Sequence, residues 1–187
     1  MHFSDEFSED TAKFYQYFFR EVQLPESQIH FYALETFLRG KKAEDVLREL
    51  TAKDSPLIIY YGGHGLKDGW QLSDKYQVKY NDIFIALKGQ RKPLIFANDC
   101  CFGMAPQDYL PQLQCPYLLL GLSPKTKEGE DSIVPGIIKC WKKCMPADPK
   151  HWVDNKKNLS EFVLEKCASR LRFGENLDYL CYPKKTR

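Results

Sequence analysis

Leu57-Ile58-Ile59-Tyr60-Tyr61-Gly62-Gly63-His64-Gly65 and a second stretch of the same build, Pro93-Leu94-Ile95-Phe96-Ala97-Asn98-Asp99-Cys100-Cys101-Phe102-Gly103, decide how this chain is read. Each is a short apolar run that stops at a polar, glycine-bearing tip. Runs of this length bounded by turn residues read as strands buried on both faces, the kind found in parallel sheets. Ligands and reacting groups in such a sheet gather beyond the carboxyl ends of the strands. Two neighbouring strands would therefore bring the His64 imidazole and a thiol of the Cys100-Cys101 pair to one edge. That is the equipment of a cysteine nucleophile with its base. The plainer alternative is two core strands with an incidental His and Cys at their ends.

Outward from these stretches, strands alternate with helices. Phe7, Thr11, Phe14, Tyr15, Phe18, Phe19 and Val22 recur at three- and four-residue steps, predicting an amphipathic helix over residues 8–23 that Pro25 ends. Residues 29–34 read as a strand. After the break at Gly40, a second helix is marked by Ala43, Val46, Leu47 and Leu50. Residues 66–79, with Gly69 and alternation around Trp70, predict a small hairpin or loop, and 81–87 a helix capped by Asn81. Strands follow at 94–97 and 116–122, then a polar loop at 123–129. Helical periodicity returns at 132–141 and 159–171, and Leu177–Tyr182 reads as a closing strand. The alternation implies βαβ units and a mainly parallel sheet.

At 187 residues the chain is long enough for one domain with a substantial core. With 43% hydrophobic and 28% charged residues and a net charge of +2, its balance excludes a typical nucleic-acid binder. Lys184, Lys185 and Arg187 form a solvated tail. The longest apolar runs, 57–61 and 117–122, fall far below the ~20 residues that span a bilayer, so no membrane partner is expected. The acidic start MHFSDEFSED is unlike a signal peptide. Seven cysteines, without CxxC pairs or His partners at zinc spacing, predict no metal site. Cys115, Cys140, Cys144, Cys167 and Cys181 sit in apolar contexts and read as reduced core thiols, which suits a cytoplasmic protein. Asn158-Leu159-Ser160 fits a glycosylation sequon, with no other sign of secretion.

Asp99-Cys100-Cys101-Phe102-Gly103 falls on the caspase signature Q-A-C-[RQG]-G, with Cys101 in the nucleophile's place and a histidine upstream. Tyr61-Gly62-Gly63-His64-Gly65 is similar to the strand-ending histidine-glycine motif of the same superfamily. The chain thus resembles the caspase-like cysteine peptidases (caspases, metacaspases and paracaspases), closest in motif to metacaspase-like members. The resemblance covers most of the chain and implies a single domain over 1–187: a large-subunit-like part at about 1–122, a linker at about 123–131 and a small-subunit-like part at about 132–187. It implies a thiol protease, a hydrolase of the cysteine-type endopeptidase class. His64 matches the catalytic histidine and Cys101 the nucleophile. Gly65 matches the glycine whose N–H, with that of Cys101, forms the oxyanion hole. A thiol of pKa near 8.5 is mostly protonated at neutral pH, so a nearby imidazole is needed to take its proton.

Neighbouring residues at a strand end point to opposite faces, so only one of the two cysteines can meet His64. The motif spacing selects Cys101 and leaves Cys100 to the core. Asp99 occupies the position of caspase Gln. Metacaspases carry an Asp two residues before the Cys and cleave after Arg or Lys, so Asp99 is expected to bind a basic P1 side chain. Its other reading is a helix cap. Such enzymes often need calcium. Asp82 and Asp108 are the acids placed for it, but two separated carboxylates read by default as exposed, and no cofactor is expected. The loop Lys125-Thr126-Lys127-Glu128-Gly129 is either an autocleavage site or a plain solvated loop.

Three features depart from the family. Phe102-Gly103 replaces the usual H-S-G or R-G. His64 and Cys101 lie 37 residues apart, against roughly 50 in caspases. The first predicted helix also begins within about eight residues of Met1, leaving no room for the family's central first strand. The expected fold is therefore a caspase-like, mainly parallel sheet flanked by helices that lacks the usual first strand, with the strands at 29–34 and 57–61 pairing directly or another segment between them. The expected function is cleavage of peptides or proteins after Arg or Lys by a Cys-His dyad. The alternative is a weak or inactive caspase-like regulator that self-associates or binds a larger partner through its sheet edge.

Overall fold

The two decisive stretches do form adjacent strands. In a computed structural model that describes residues 5–21, 39–54, 57–92, 94–122, 133–135, 138, 142 and 177–182, Leu57–Gly62 is β1 and Leu94–Asp99 is β5. They pair in parallel with Leu57 opposite Leu94 and Gly62 opposite Asp99. Between them the chain makes β2 (His64–Leu66), β3 (Gly69–Gln71) and β4 (Gln77–Lys79), a small antiparallel sheet of its own. On the other side of β5 lies β6 (Tyr117–Leu122), also parallel, and beyond it β7 (Leu177–Tyr182), antiparallel. The main sheet therefore runs β1-β5-β6-β7, an α/β architecture with three parallel strands. Among the described residues β1 has one strand neighbour, β5. The strand predicted at 29–34, the linker and the helix at 159–171 lie outside the described residues.

Helices cover both faces, as the unbroken apolar strands require. Along β1 and β5, the residues that alternate to one side (Leu57, Tyr61, Leu94, Phe96) join a core with α2 (Ala43–Thr51) and α3 (Tyr80–Leu87). Phe84 of α3 packs its ring 5.4 Å from that of Phe96. Both are fully buried, and truncating either to Ala should destabilise the fold by about 3–5 kcal/mol. The opposite face receives α1 (Asp5–Gln16), which stacks Phe14 on Tyr60 at 4.3 Å. Helix α1 continues through one wider turn of π type, Tyr17–Glu21, that buries Tyr17. The chain is helical at 134, 135 and 138, within the helix predicted over 132–141, and at 142, one residue past it. Among the described residues no helix is long and apolar enough to cross a membrane.

Two details differ from the sequence-based expectation. Helix α3 begins at Tyr80, with Lys79 rather than Asn81 at its N-cap and no side-chain cap. Tertiary packing sets that start: the Tyr80 amide donates to the Asp68 carbonyl at 2.8 Å, and its ring is wholly buried. Strand β5 also runs past Ala97 through Asn98 and Asp99, both buried. A buried polar side chain is tolerated in a strand where it is hydrogen-bonded, and both of these are.

Candidate active site at the tips of β1 and β5

The chain leaves the main sheet at the carboxyl ends of β1 and β5 side by side. The Gly63 amide donates to the Asp99 carbonyl at 3.2 Å, extending the ladder one residue past β1. His64 follows immediately as the first residue of β2, and Cys101 lies two residues past Asp99 in the turn that leaves β5. The two tips touch. A Cβ placed on Gly65 would lie 1.9 Å from the Cys101 carbonyl oxygen and 2.7 Å from the Cys100 sulfur. Ordinary contacts begin near 3.4 Å, so only glycine lets these backbones approach so closely.

The His64 tip is held by aromatic side chains. Trp70, on β3 opposite Gly65, stacks on Tyr61 at 4.4 Å and on Phe96 at 5.6 Å, pinning the small sheet to the main one. The Tyr61 hydroxyl, its pKa pushed up by burial, is shared between the carbonyls of His64 (2.9 Å) and Gln71 (3.2 Å). The His64 backbone is thus fixed from below while its side chain is exposed.

Asn98 does the corresponding work beneath the Cys turn. Its amide oxygen accepts the Trp70 indole N–H at 2.7 Å, and its nitrogen donates to the Tyr80 hydroxyl at 3.0 Å and the Gly103 carbonyl at 2.9 Å. One fully buried side chain therefore ties β3, α3 and the turn after Cys101 together. Sequence reasoning missed it. The available signal was a lone amide at the end of an otherwise apolar strand, a position where burial demands partners.

The two cysteines divide as expected. Cys100 is fully buried and Cys101 is partly exposed; both are free thiols, as is buried Cys115. Burial, and secondarily the charge of Asp99, push the Cys100 thiol far above its usual range, against the hydrogen bond from Tyr80. A thiol held neutral in this way is a poor nucleophile, whereas Cys101 is partly exposed in the turn whose backbone meets Gly65.

Asp99 is 1% exposed. One carboxylate oxygen accepts the Tyr60 hydroxyl at 3.0 Å and the other the Ile133 amide at 3.0 Å. Because residues 134 and 135 are helical, this last bond puts Asp99 at the start of a distant helical turn rather than of one directly after β5. The carboxylate thus lies beneath the tips with two donors already in place.

Phe102, directly after Cys101, adopts φ +56°. For a non-glycine residue this left-handed conformation costs about 1–2 kcal/mol. Its ring is 39% exposed, and the Lys67 ammonium lies 5.9 Å from the ring centroid. Asp82 is half-buried and Asp108 exposed. Among the described residues no group of three or more His, Cys, Asp or Glu is placed to hold a metal ion. In comparisons with protein-family models, with curated proteins and with solved structures, nothing matches this chain.

Proposed function

We propose that the chain is a caspase-like cysteine endopeptidase that cleaves peptides after Arg or Lys. The observation that carries this reading is the contact between the tips of β1 and β5, at Gly65 and Cys101. That contact joins the backbone after an exposed His64 to that of a partly exposed Cys101, at the carboxyl edge of a parallel sheet, and it supports the reading that the two side chains work together. Cys101 Sγ, its proton taken by His64, attacks the scissile carbonyl carbon. The oxyanion is met by the N–H groups of Gly65 and Cys101; one such donor contributes roughly 2.7–4 kcal/mol in a measured serine-protease case. His64 then returns the proton to the leaving amine, and water cleaves the resulting thioester by the same route.

Asp99 supplies the basis for a basic P1 preference. Its charge lies just under the tips, and a guanidinium or ammonium would join the donors from Tyr60 and Ile133. A reducing, cytoplasmic setting keeps Cys101 as a thiol. Peptide or protein substrates are the partners this site would take, with no cofactor assigned.

The test uses fluorogenic Arg and Lys peptides and an Arg-based covalent inhibitor, with and without calcium. Turnover by the wild type, its loss in Cys101→Ala and His64→Ala, and an inhibitor adduct mapped to Cys101 are expected. Absence of both turnover and adduct defeats the reading. A cellular effect that survives Cys101→Ala would assign the chain instead to non-catalytic regulation through its sheet edge.

A further inference from the structure

We propose that Phe102, steadied by Lys67, forms the wall of a substrate subsite that takes an apolar side chain next to the scissile bond. The inference rests on the peptidase reading and adds to it a second element of substrate choice. It starts from a residue that is locally unfavourable. Phe102 holds a left-handed backbone that glycine would adopt without strain, yet the position carries a large aromatic side chain.

Core packing does not account for that choice. The ring is 39% exposed, and Phe102 and Ile85 are the large hydrophobic residues left exposed among those described. Two hydrogen bonds that follow the residue hold the conformation. The Phe102 carbonyl accepts the Ala105 amide at 2.8 Å, and the next carbonyl, that of Gly103, accepts the buried Asn98 amide at 2.9 Å. Strain that is over-determined by its neighbours points to a working position. Here it turns an aromatic face outward at the residue that follows the nucleophile.

Lys67, in the turn between β2 and β3, reaches the ring from the His64 side, 5.9 Å from its centroid. That distance is within the range of cation–π attraction. The ring thus joins the turn after Cys101 to the turn after β2, and a substrate bound at Cys101 would have it as a neighbour. An apolar or aromatic side chain one position from P1 would cover the exposed face and gain contact there.

The experiment compares wild type, Phe102→Ala and Phe102→Gly on two series of internally quenched peptides. One series varies the residue before the P1 Arg and the other the residue after it, each through Leu, Phe, Gly and Asp. At one of the two positions the wild type should favour Leu or Phe over Gly in kcat/KM by about fivefold, and both variants should lose that ratio. Phe102→Gly should also melt no lower than the wild type. Retention of the full ratio by both variants, or a lowered melting temperature in Phe102→Gly with the ratio intact, would make Phe102 a structural residue and overturn the subsite. Wild-type protein that cleaves no peptide of either series would defeat the peptidase reading and the subsite together.

Discussion

Gly65→Ala is the sharpest perturbation of the site, because a single methyl group is placed where two backbones meet. Its carbon would lie 1.9 Å from the Cys101 carbonyl oxygen, against about 3.4 Å for an ordinary contact, so the tips would have to separate by about 1.5 Å. Neither neighbour yields easily, since one is backbone and the other is the sulfur of fully buried Cys100. Overpacking of this kind costs about 1–3 kcal/mol, and in a chain of this size each kcal/mol lowers the melting temperature by roughly 2–4 °C. A drop of about 2–12 °C is expected. A displacement of ~1 Å between reacting groups can cost about 100-fold in rate, so peptide turnover should fall at least that far. Gly40→Ala is the control. Gly40 has φ +96° with nothing within 4 Å of its would-be Cβ, so the substitution strains the backbone by about 1–2 kcal/mol without touching the site. The assays are thermal melts, kcat/KM on an Arg peptide, and the rate of Cys101 alkylation read by mass spectrometry. Should Gly65→Ala melt within about 1 °C of the wild type and alkylate Cys101 at the wild-type rate, the tips are not in contact and the reasoning fails.

Three further outcomes follow from the buried groups. Asn98→Leu removes the partner of the Trp70 indole and the side-chain amide donor to the Tyr80 hydroxyl and the Gly103 carbonyl; a loss of about 2–4 kcal/mol in denaturant unfolding is expected, and a value under about 1 kcal/mol would show that the network is dispensable. Asp99→Asn should lower stability by about 1–2 kcal/mol through its bonds to Tyr60 and Ile133, and should also reduce the preference for Arg over neutral P1 peptides. Stability loss with the preference intact would leave Asp99 with a structural role alone. Alkaline pH should destabilise the fold, because burial raises Cys115 to about 11 and raises Cys100, Tyr61 and Tyr80 further. Each raised group keeps its proton in the folded state after the unfolded chain has released it. Its contribution is therefore complete below the unfolded value and is lost as pH climbs toward the folded one. Melting temperatures should fall steadily above about pH 9, and a flat profile from pH 8 to 11 would contradict this.

The apolar runs at 57–61 and 94–97 were enough to indicate buried parallel strands, because hydrophobic continuity over a strand's length is written in the residues themselves. The helix at α2 and the closing strand at Leu177–Tyr182 were legible for the same reason. The motif spacing likewise separated Cys100 from Cys101, but their difference in burial arises past the end of β5, where Cys100 stays in the core and the chain turns at Cys101.

What sequence could not settle depends on partners distant along the chain. The α3 start was misplaced because the carbonyl of Asp68, 12 positions upstream, claims the Tyr80 amide, overriding a local Asn cap. The end of β5 came out two residues short because Asn98 and Asp99 are polar, and only the fold supplies Trp70, Tyr80, Tyr60 and Ile133 to satisfy them. His64 and Cys101 could be named from their motifs. That their tips meet was decided by the parallel pairing of β1 with β5 and by the absence of a Cβ at Gly65. Local pattern thus fixes which residues are available for chemistry, and long-range pairing fixes which of them stand together.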